Sequence, residues 1–299
     1  MTEHKSVSMI LNTIPYYRNG YKIAEHVLSF LSVSSLFIGF VGFFRTYIAG
    51  ILMGVESSIY ACFIMFLITF SIYSLDSIVD IDKDITNMPE RKKFLSERKK
   101  LFLLCSLAAY FLAGLILLQT KPVALPVIFL PFAANAFYAT TLPILNFRLK
   151  DIPFVKNFVV AVSWGLTCTL LPVAYMVNPP EMKTMGTVFY FMLVMTFIAA
   201  VLYDVRDVRG DREMGVRTIP VILGARKTTW ILLALNSTLL PLLVLVNSEI
   251  QLLMVGLILY GYVYIHYFRV RRHPTILDLF VDGKCIFATV AFITFYNFL

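Results

Sequence analysis

The sequence predicts an all-α fold: a polytopic membrane bundle of about nine transmembrane helices, built as one domain over residues 1–299. Three observations predict it. Hydrophobic residues make up 59% of the chain, charged residues only 15%, and mean hydropathy is +0.79; a soluble domain carries about 25% charged residues. Apolar runs about 20 residues long recur from end to end, the length one membrane-crossing helix needs. The cations fall between alternate runs, as they do in loops on the cytoplasmic side of a membrane protein.

Residues 1–25, with Lys5, Arg18 and Lys22, form a polar N-terminal segment suited to the cytoplasm or the membrane interface. They lack a compact apolar region followed by a small-residue cleavage site, so they do not read as a signal peptide. Apolar runs follow at 26–44 and 47–75. A charged loop over 76–100 separates these from runs at 101–119 and 123–141. A short basic loop with Arg148, Lys150 and Lys156 leads into runs at 155–177 and 185–203. A second charged loop, 204–228, precedes the last three runs at 229–247, 251–268 and 277–299.

Of the 26 Lys and Arg residues, all but Arg45, Lys121 and Lys183 fall in the N-terminal segment or in the loops after even-numbered runs. This asymmetry predicts a multi-pass protein of the cell membrane with those loops cytoplasmic. The net charge of +8 forms no stripe or motif that would read nucleic acid. Cys62, Cys105, Cys168 and Cys285 show no metal-type spacing and read as small core residues. Both long polar loops lie on the cation-rich side, so the chemistry is expected at the cytoplasmic face.

Those two loops hold the carboxylates. Residues 76–84 read D-S-I-V-D-I-D-K-D, with Asp76, Asp80 and Asp84 spaced i, i+4, i+8 on one helical face. Like charges at that spacing repel, and a divalent cation would offset the repulsion; a solvated acidic loop is the alternative. Residues 204–218 read D-V-R-D-V-R-G-D-R-E-M-G-V-R-T, which puts Asp204, Asp207 and Asp211 on one face at i, i+3, i+7. Two sets of oxygen ligands on one membrane face can hold Mg²⁺ and, between the bound ions, a diphosphate. Arg148 and Lys150 lie on the loop between the sets, and Arg206, Arg209, Arg212 and Arg217 in or after the second. Arg and Lys grip phosphate, though each is also an ordinary loop cation.

In this pairing the sequence resembles the UbiA superfamily of intramembrane prenyltransferases. That family carries Asp-rich motifs after its second and sixth helices, commonly N-x-x-x-D-x-x-x-D and D-x-x-D-x-x-x-D. The first matches at Asp80 and Asp84, with Asp76 where the family usually has Asn; the second matches fully at Asp204, Asp207 and Asp211, followed by G-V-R-T-I-P-V-I-L-G. The segment F-R-L-K-D-I-P-F-V-K-N resembles the family's stretch between helices four and five, where a basic residue contacts diphosphate.

The resemblance implies transfer of a prenyl group from a prenyl diphosphate to an aromatic or other lipophilic acceptor within the lipid bilayer. Asp76, Asp80 and Asp84 would bind one Mg²⁺ and Asp204, Asp207 and Asp211 a second. Lys150, Arg148, Arg209 and Arg212 would bind substrate phosphate. Tyr138, at the end of run four, is a substrate-contact candidate as well as an interfacial tyrosine. Asp82 points elsewhere on a helix. Asp278 and Asp282 either line the site or cap a helix. Glu56 is expected to pair with Arg45 near the outer face, and His266 and His273 to be interfacial. Two other readings remain open: a membrane terpene cyclase of the same superfamily, and an ion-coupled transporter, whose carboxylates would sit nearer the bilayer midplane.

Overall fold

The computed structural model describes residues 30–31, 34–55, 57–79, 89–139, 154–270 and 274–296. Among them every element is helical: α1 (Leu36–Leu52), α2 (Ile59–Val79), α3 (Pro89–Thr120), α4 (Leu125–Ala139), α5 (Val155–Ala174), α6 (Met182–Glu213), α7 (Ile219–Ser237), α8 (Ser248–Tyr267), α9 (Pro274–Leu277) and α10 (Lys284–Tyr296). Short 3₁₀ turns, Pro122–Ala124 and Leu240–Leu245, follow α3 and α7, and a π turn, Asp278–Asp282, joins α9 to α10. In lipid no water is available to the backbone, so each crossing segment must satisfy its own N–H and C=O groups as a helix.

Among the described residues six helical segments are long and apolar enough to cross a membrane: Ile59–Val79, Phe94–Thr120, Val155–Ala174, Met182–Glu213, Ile219–Leu245 and Ile250–Tyr267. Shorter apolar helices, Leu36–Leu52, Pro122–Ala134 and Lys284–Thr294, stand where runs one, four and nine were expected. Helices approach closely where a small residue faces a polar one. A Cβ added at Gly42 would collide with the Thr69 hydroxyl, and one at Gly261 with the Asn236 amide; Asn236 Nδ2 in turn donates to the Ile258 carbonyl at 3.0 Å. This is the small-residue packing that holds helices together where both protein and lipid are apolar.

Specific contacts fix the direction of each helix. Tyr60 at the start of α2 stacks on Tyr175 just past α5, and Thr120 at the end of α3 lies 2.5 Å from the same Tyr175 hydroxyl. Tyr73 near the end of α2 stacks on Trp164 of α5. The end of α2, the start of α3 and the start of α5 therefore share one end of the bundle, and a hydrogen bond from Asn157 to Asp204 brings the end of α6 to it.

The two charged loops are mostly helix. α2 continues through Asp76 to Val79, and α6 continues through all three aspartates to Glu213, leaving only 214–218 between α6 and α7. Hydropathy falls there, but pairs such as Arg209–Glu213, at 3.1 Å and spaced i, i+4, support the continuing helix. At 32 residues α6 is about 48 Å long, well beyond the ~30 Å apolar layer, so its last turns project.

Arg45 corrects the expected boundary between the first two runs. It lies inside α1, 8% exposed, and not in a loop; the turn to α2 falls at 53–58, where Gly54 takes φ 74°. A charge in an apolar run mimics a loop in hydropathy, yet here it is compensated internally. Its partner is Asp282, with Nη2 to Oδ1 at 3.5 Å. Glu56, the expected partner, lies outside the described residues, as do residues 1–29 and His273. Cys62, Cys168 and Cys285 are buried free thiols, as small core residues should be, while Cys105 is exposed.

Candidate active site

α6 begins with twenty largely apolar residues and then changes character. Its last ten carry Asp204, Asp207 and Asp211 toward one side, since 100° per residue brings i, i+3 and i+7 together. Asp204 is buried, its side chain 7% exposed. Asn157, on the first turn of α5, donates from Nδ2 to Asp204 Oδ2 at 2.6 Å, and Lys156 Nζ stands 3.8 Å from Oδ1. Phe154, at φ 73°, turns the chain immediately before that helix. Asp207 is turned onto its neighbour: Arg206 Nε and Nη2 donate to its two oxygens, each at 2.7 Å. Asp211 is half-buried one turn further out.

Asp76 is exposed near the end of α2, at the same end of the bundle as these three. Asp80, Asp82, Asp84, Arg148 and Lys150 lie outside the described residues, and Tyr138 is in the last turn of α4 with its side chain also outside them. Arg209 and Arg212 are placed away from the aspartates. They line a recess of about 510 Å³ on the other side of α6, together with Arg206 and Arg269.

A polar network that local sequence patterns hardly signal stands behind the aspartates. The Tyr203 hydroxyl lies 2.8 Å from Asp278 Oδ1 and 2.7 Å from Asp282 Oδ2. Asp282 also holds Arg45. The Arg206 guanidinium covers the Tyr203 ring at 4.8 Å. Lys284, 2% exposed, donates to the Val281 carbonyl at 2.7 Å and sits 5.4 Å over the Tyr264 ring. Asp278 and Asp282 are thus bound to a tyrosine of α6 instead of serving only as a helix cap. The i, i+4 spacing of the two acids was visible in sequence; their partners, 75 and 79 residues away at Tyr203 and farther still at Arg45, were not.

Three carboxylates on one helix face supply the hard oxygen donors that Mg²⁺ takes, so the residues fit that ion by donor chemistry. Among the described residues no three Asp, Glu, His or Cys side chains are already gathered as a cation site. Asp207 must release Arg206 before it can ligate.

Comparison with known proteins gives a consistent picture. The model of the UbiA prenyltransferase family matches residues 35–281. The digeranylgeranylglyceryl phosphate synthase of Thermococcus gammatolerans is 27% identical over 161 residues, 53% of this chain and 54% of that protein. The lycopene elongase/hydratase of Haloferax volcanii is 30% identical over 177 residues, 57% of this chain and 54% of that protein. The match spans about half the length of either relative. A UbiA homolog from Archaeoglobus fulgidus, solved with GPP and Mg²⁺, superposes with a TM-score of 0.61 at 15% identity, covering 88% of this chain and 99% of that one; the likeness is one of fold.

Proposed function

The chain belongs to the UbiA prenyltransferase family, and we propose that it transfers a prenyl group from an allylic prenyl diphosphate to a lipophilic acceptor in the membrane. The observation that carries this reading is the gathering of Asp76, Asp204, Asp207 and Asp211 at one end of an apolar helical bundle, next to Lys156 and Asn157. Carboxylates at helix ends beside cations suit a phosphate-bearing substrate; coupling ions in transporters are usually held near the midplane.

In the proposed reaction the C1–O bond of the donor breaks, the diphosphate leaves with the electron pair, and an acceptor nucleophile bonds to C1 and loses its proton. Bound Mg²⁺ would supply Lewis-acid neutralisation of the leaving diphosphate. Asp204, Asp207 and Asp211 would hold one ion, and Asp76, Asp80 and Asp84 a second. Asn157 fixes the Asp204 carboxylate in orientation. Lys150 and Arg148 would pair with the diphosphate oxygens, and Tyr138 would contact the prenyl chain. The apolar interior excludes water that would otherwise quench an allylic cation. Nine membrane crossings, with the aspartates on the cytoplasmic side, complete the reading; the cation asymmetry of the loops supports it.

The names of the relatives support a glycerol phosphate lipid as the first acceptor to try and a carotenoid as the second. Purified protein incubated with Mg²⁺, isotope-labelled prenyl diphosphates and each acceptor, read by mass spectrometry, tests the proposal. Diphosphate release that requires acceptor supports transfer. Release without acceptor replaces transfer by cyclisation or hydrolysis, and absence of turnover with every donor, alongside ion-driven uptake in vesicles, would replace it by transport.

A further inference from the structure

The recess on the far side of α6 has a built character of its own. Arg206, Arg209 and Arg212 project into it at a spacing of three residues, and Arg269, just past α8, faces them. Glu213 is the acid on its wall, so four cations meet one carboxylate there; Asp207, gripping Arg206 from outside the recess, is the second acid in reach. Val205, Val208, Pro220 and Val270 make the remaining wall apolar. Gly224, at φ 75°, breaks α7 beside it and leaves the space open: a Cβ there would meet nothing within 4 Å.

Its place in the membrane is equally specific. The recess lies where three apolar segments give out together, at the outgoing end of α6, the start of Ile219–Leu245 and the end of Ile250–Tyr267. Membrane-crossing segments that give out together end at headgroup depth. Ile222 and Val270 are exposed at this level, as a lipid-facing margin requires. The site cannot be a second arm of the aspartate site. Asp204, Asp207 and Asp211 occupy the opposite side of α6, and a helix with its side chains is about 10–12 Å across. A phosphate among the arginines therefore faces away from an ion held by those carboxylates, and Arg206 is the recess cation that also reaches one of them, Asp207.

We propose that this recess binds the phosphate headgroup of an anionic membrane lipid, and that Arg206 couples its occupancy to Asp207. Arginine pairs with phosphate bidentately, and basic pockets between membrane helices select anionic headgroups. Arg206 lines the recess yet gives both donors to Asp207. A phosphate that draws Arg206 toward itself releases the Asp207 carboxylate for Mg²⁺. The coupling rests on the proposed part of Asp207 in the reaction; the binding does not.

The test compares the full chain with the double variant Arg212→Gln/Arg269→Gln by native mass spectrometry. Each is titrated with phosphatidylglycerol and with phosphatidylcholine of the same acyl chains, and the melting temperature of each verifies folding. The wild type is expected to prefer phosphatidylglycerol at least about tenfold and the double variant to lose that preference, with Arg269→Lys alone keeping part of it. Equal occupancy by the two lipids, or equal phosphatidylglycerol binding by wild type and variant, overturns the site. Displacement of phosphatidylglycerol by an equal concentration of inorganic phosphate overturns the lipid assignment in favour of free phosphate. Coupling is read in nanodiscs as a lower half-saturating Mg²⁺ concentration in phosphatidylglycerol than in phosphatidylcholine, a difference the double variant abolishes; an unchanged Mg²⁺ requirement with lipid still bound overturns the coupling alone. If the chain turns over no donor, the proposed function fails while the binding measurement still decides the site.

Discussion

Two groups of charges sit at neighbouring depths in this molecule and are handled in opposite ways. Around Asp282 the protein supplies the counter-charge itself: Arg45 lies at 3.5 Å, the Tyr203 hydroxyl at 2.7 Å, and Lys284 is buried close by. Along the last turns of α6 the carboxylates outnumber the cations that hold them directly, with Lys156 3.8 Å from Asp204, Arg206 closed on Asp207, and Asp211 only half-buried. Charge within an apolar layer is tolerated when partners on the same chain neutralise it. Charge left in excess at a helix end invites a ligand of opposite sign. The first group is built for stability and the second for binding, and each can be tested against the other.

The largest effect should come from breaking the inner group. Arg45→Met strands the buried Asp282 carboxylate and is expected to cost about 3–5 kcal/mol, whereas Arg45→Met combined with Asp282→Leu should recover most of it. Thermal unfolding in detergent measures both; a double variant no more stable than the single one would show that the pair does not act as a unit. Next comes the outer group. Asp204→Ala is expected to lower kcat by about 10²–10³-fold, or roughly 3–4 kcal/mol of barrier, and to cost about 1–3 kcal/mol of stability through the Asn157 amide left unpaired. A transferase assay at saturating Mg²⁺ that found full activity would remove Asp204 from the metal site.

Tyr203→Phe joins the two groups and sharpens the boundary between them. It deletes the hydroxyl shared by Asp278 and Asp282 and should cost about 1–3 kcal/mol of stability. It should leave kcat and KM nearly unchanged, because the ring that Arg206 covers is kept; a large fall in kcat at unchanged KM would bring the hydroxyl into the reaction. The smallest effect belongs to charge that is merely solvated. Glu97→Gln removes an exposed partner of Arg98 at 3.3 Å and should change stability by less than about 0.5 kcal/mol.

The same contrast explains what the sequence could and could not reveal. Asp204, Asp207 and Asp211 were legible because their spacing is a helical period within one segment, and the direction of α2 and α6 followed from counting apolar runs. The second face of α6 was legible in principle: Arg206, Arg209 and Arg212 repeat every three residues, a pattern obscured by reading 204–228 as loop. Arg45 and Asp282 were not legible. They lie on the first helix of the described bundle and on the π turn before its last, and nothing local to either announces the other. Hydropathy scores a buried, compensated arginine like an exposed one, so it cut the first run at Arg45. Asn157 shows the middle case: it falls within the quoted F-V-K-N segment, but only the approach of α5 to α6 reveals that it holds Asp204.

The π turn at Asp278–Asp282 has a consequence for the history of the chain. A π turn holds one residue more than the α turn it replaces, and such turns are commonly found at functional positions. It acts as a phase shift between α9 and α10. Deleting Leu279 would restore the α-helical turn and bring Asp278 and Asp282 to i, i+3, still on one face but closer by one residue's rise, about 1.5 Å, so the bonds to the Tyr203 hydroxyl would have to be rebuilt. A related chain lacking that residue is expected to differ at Arg45 or Tyr203 as well, and the three positions should be gained or lost together.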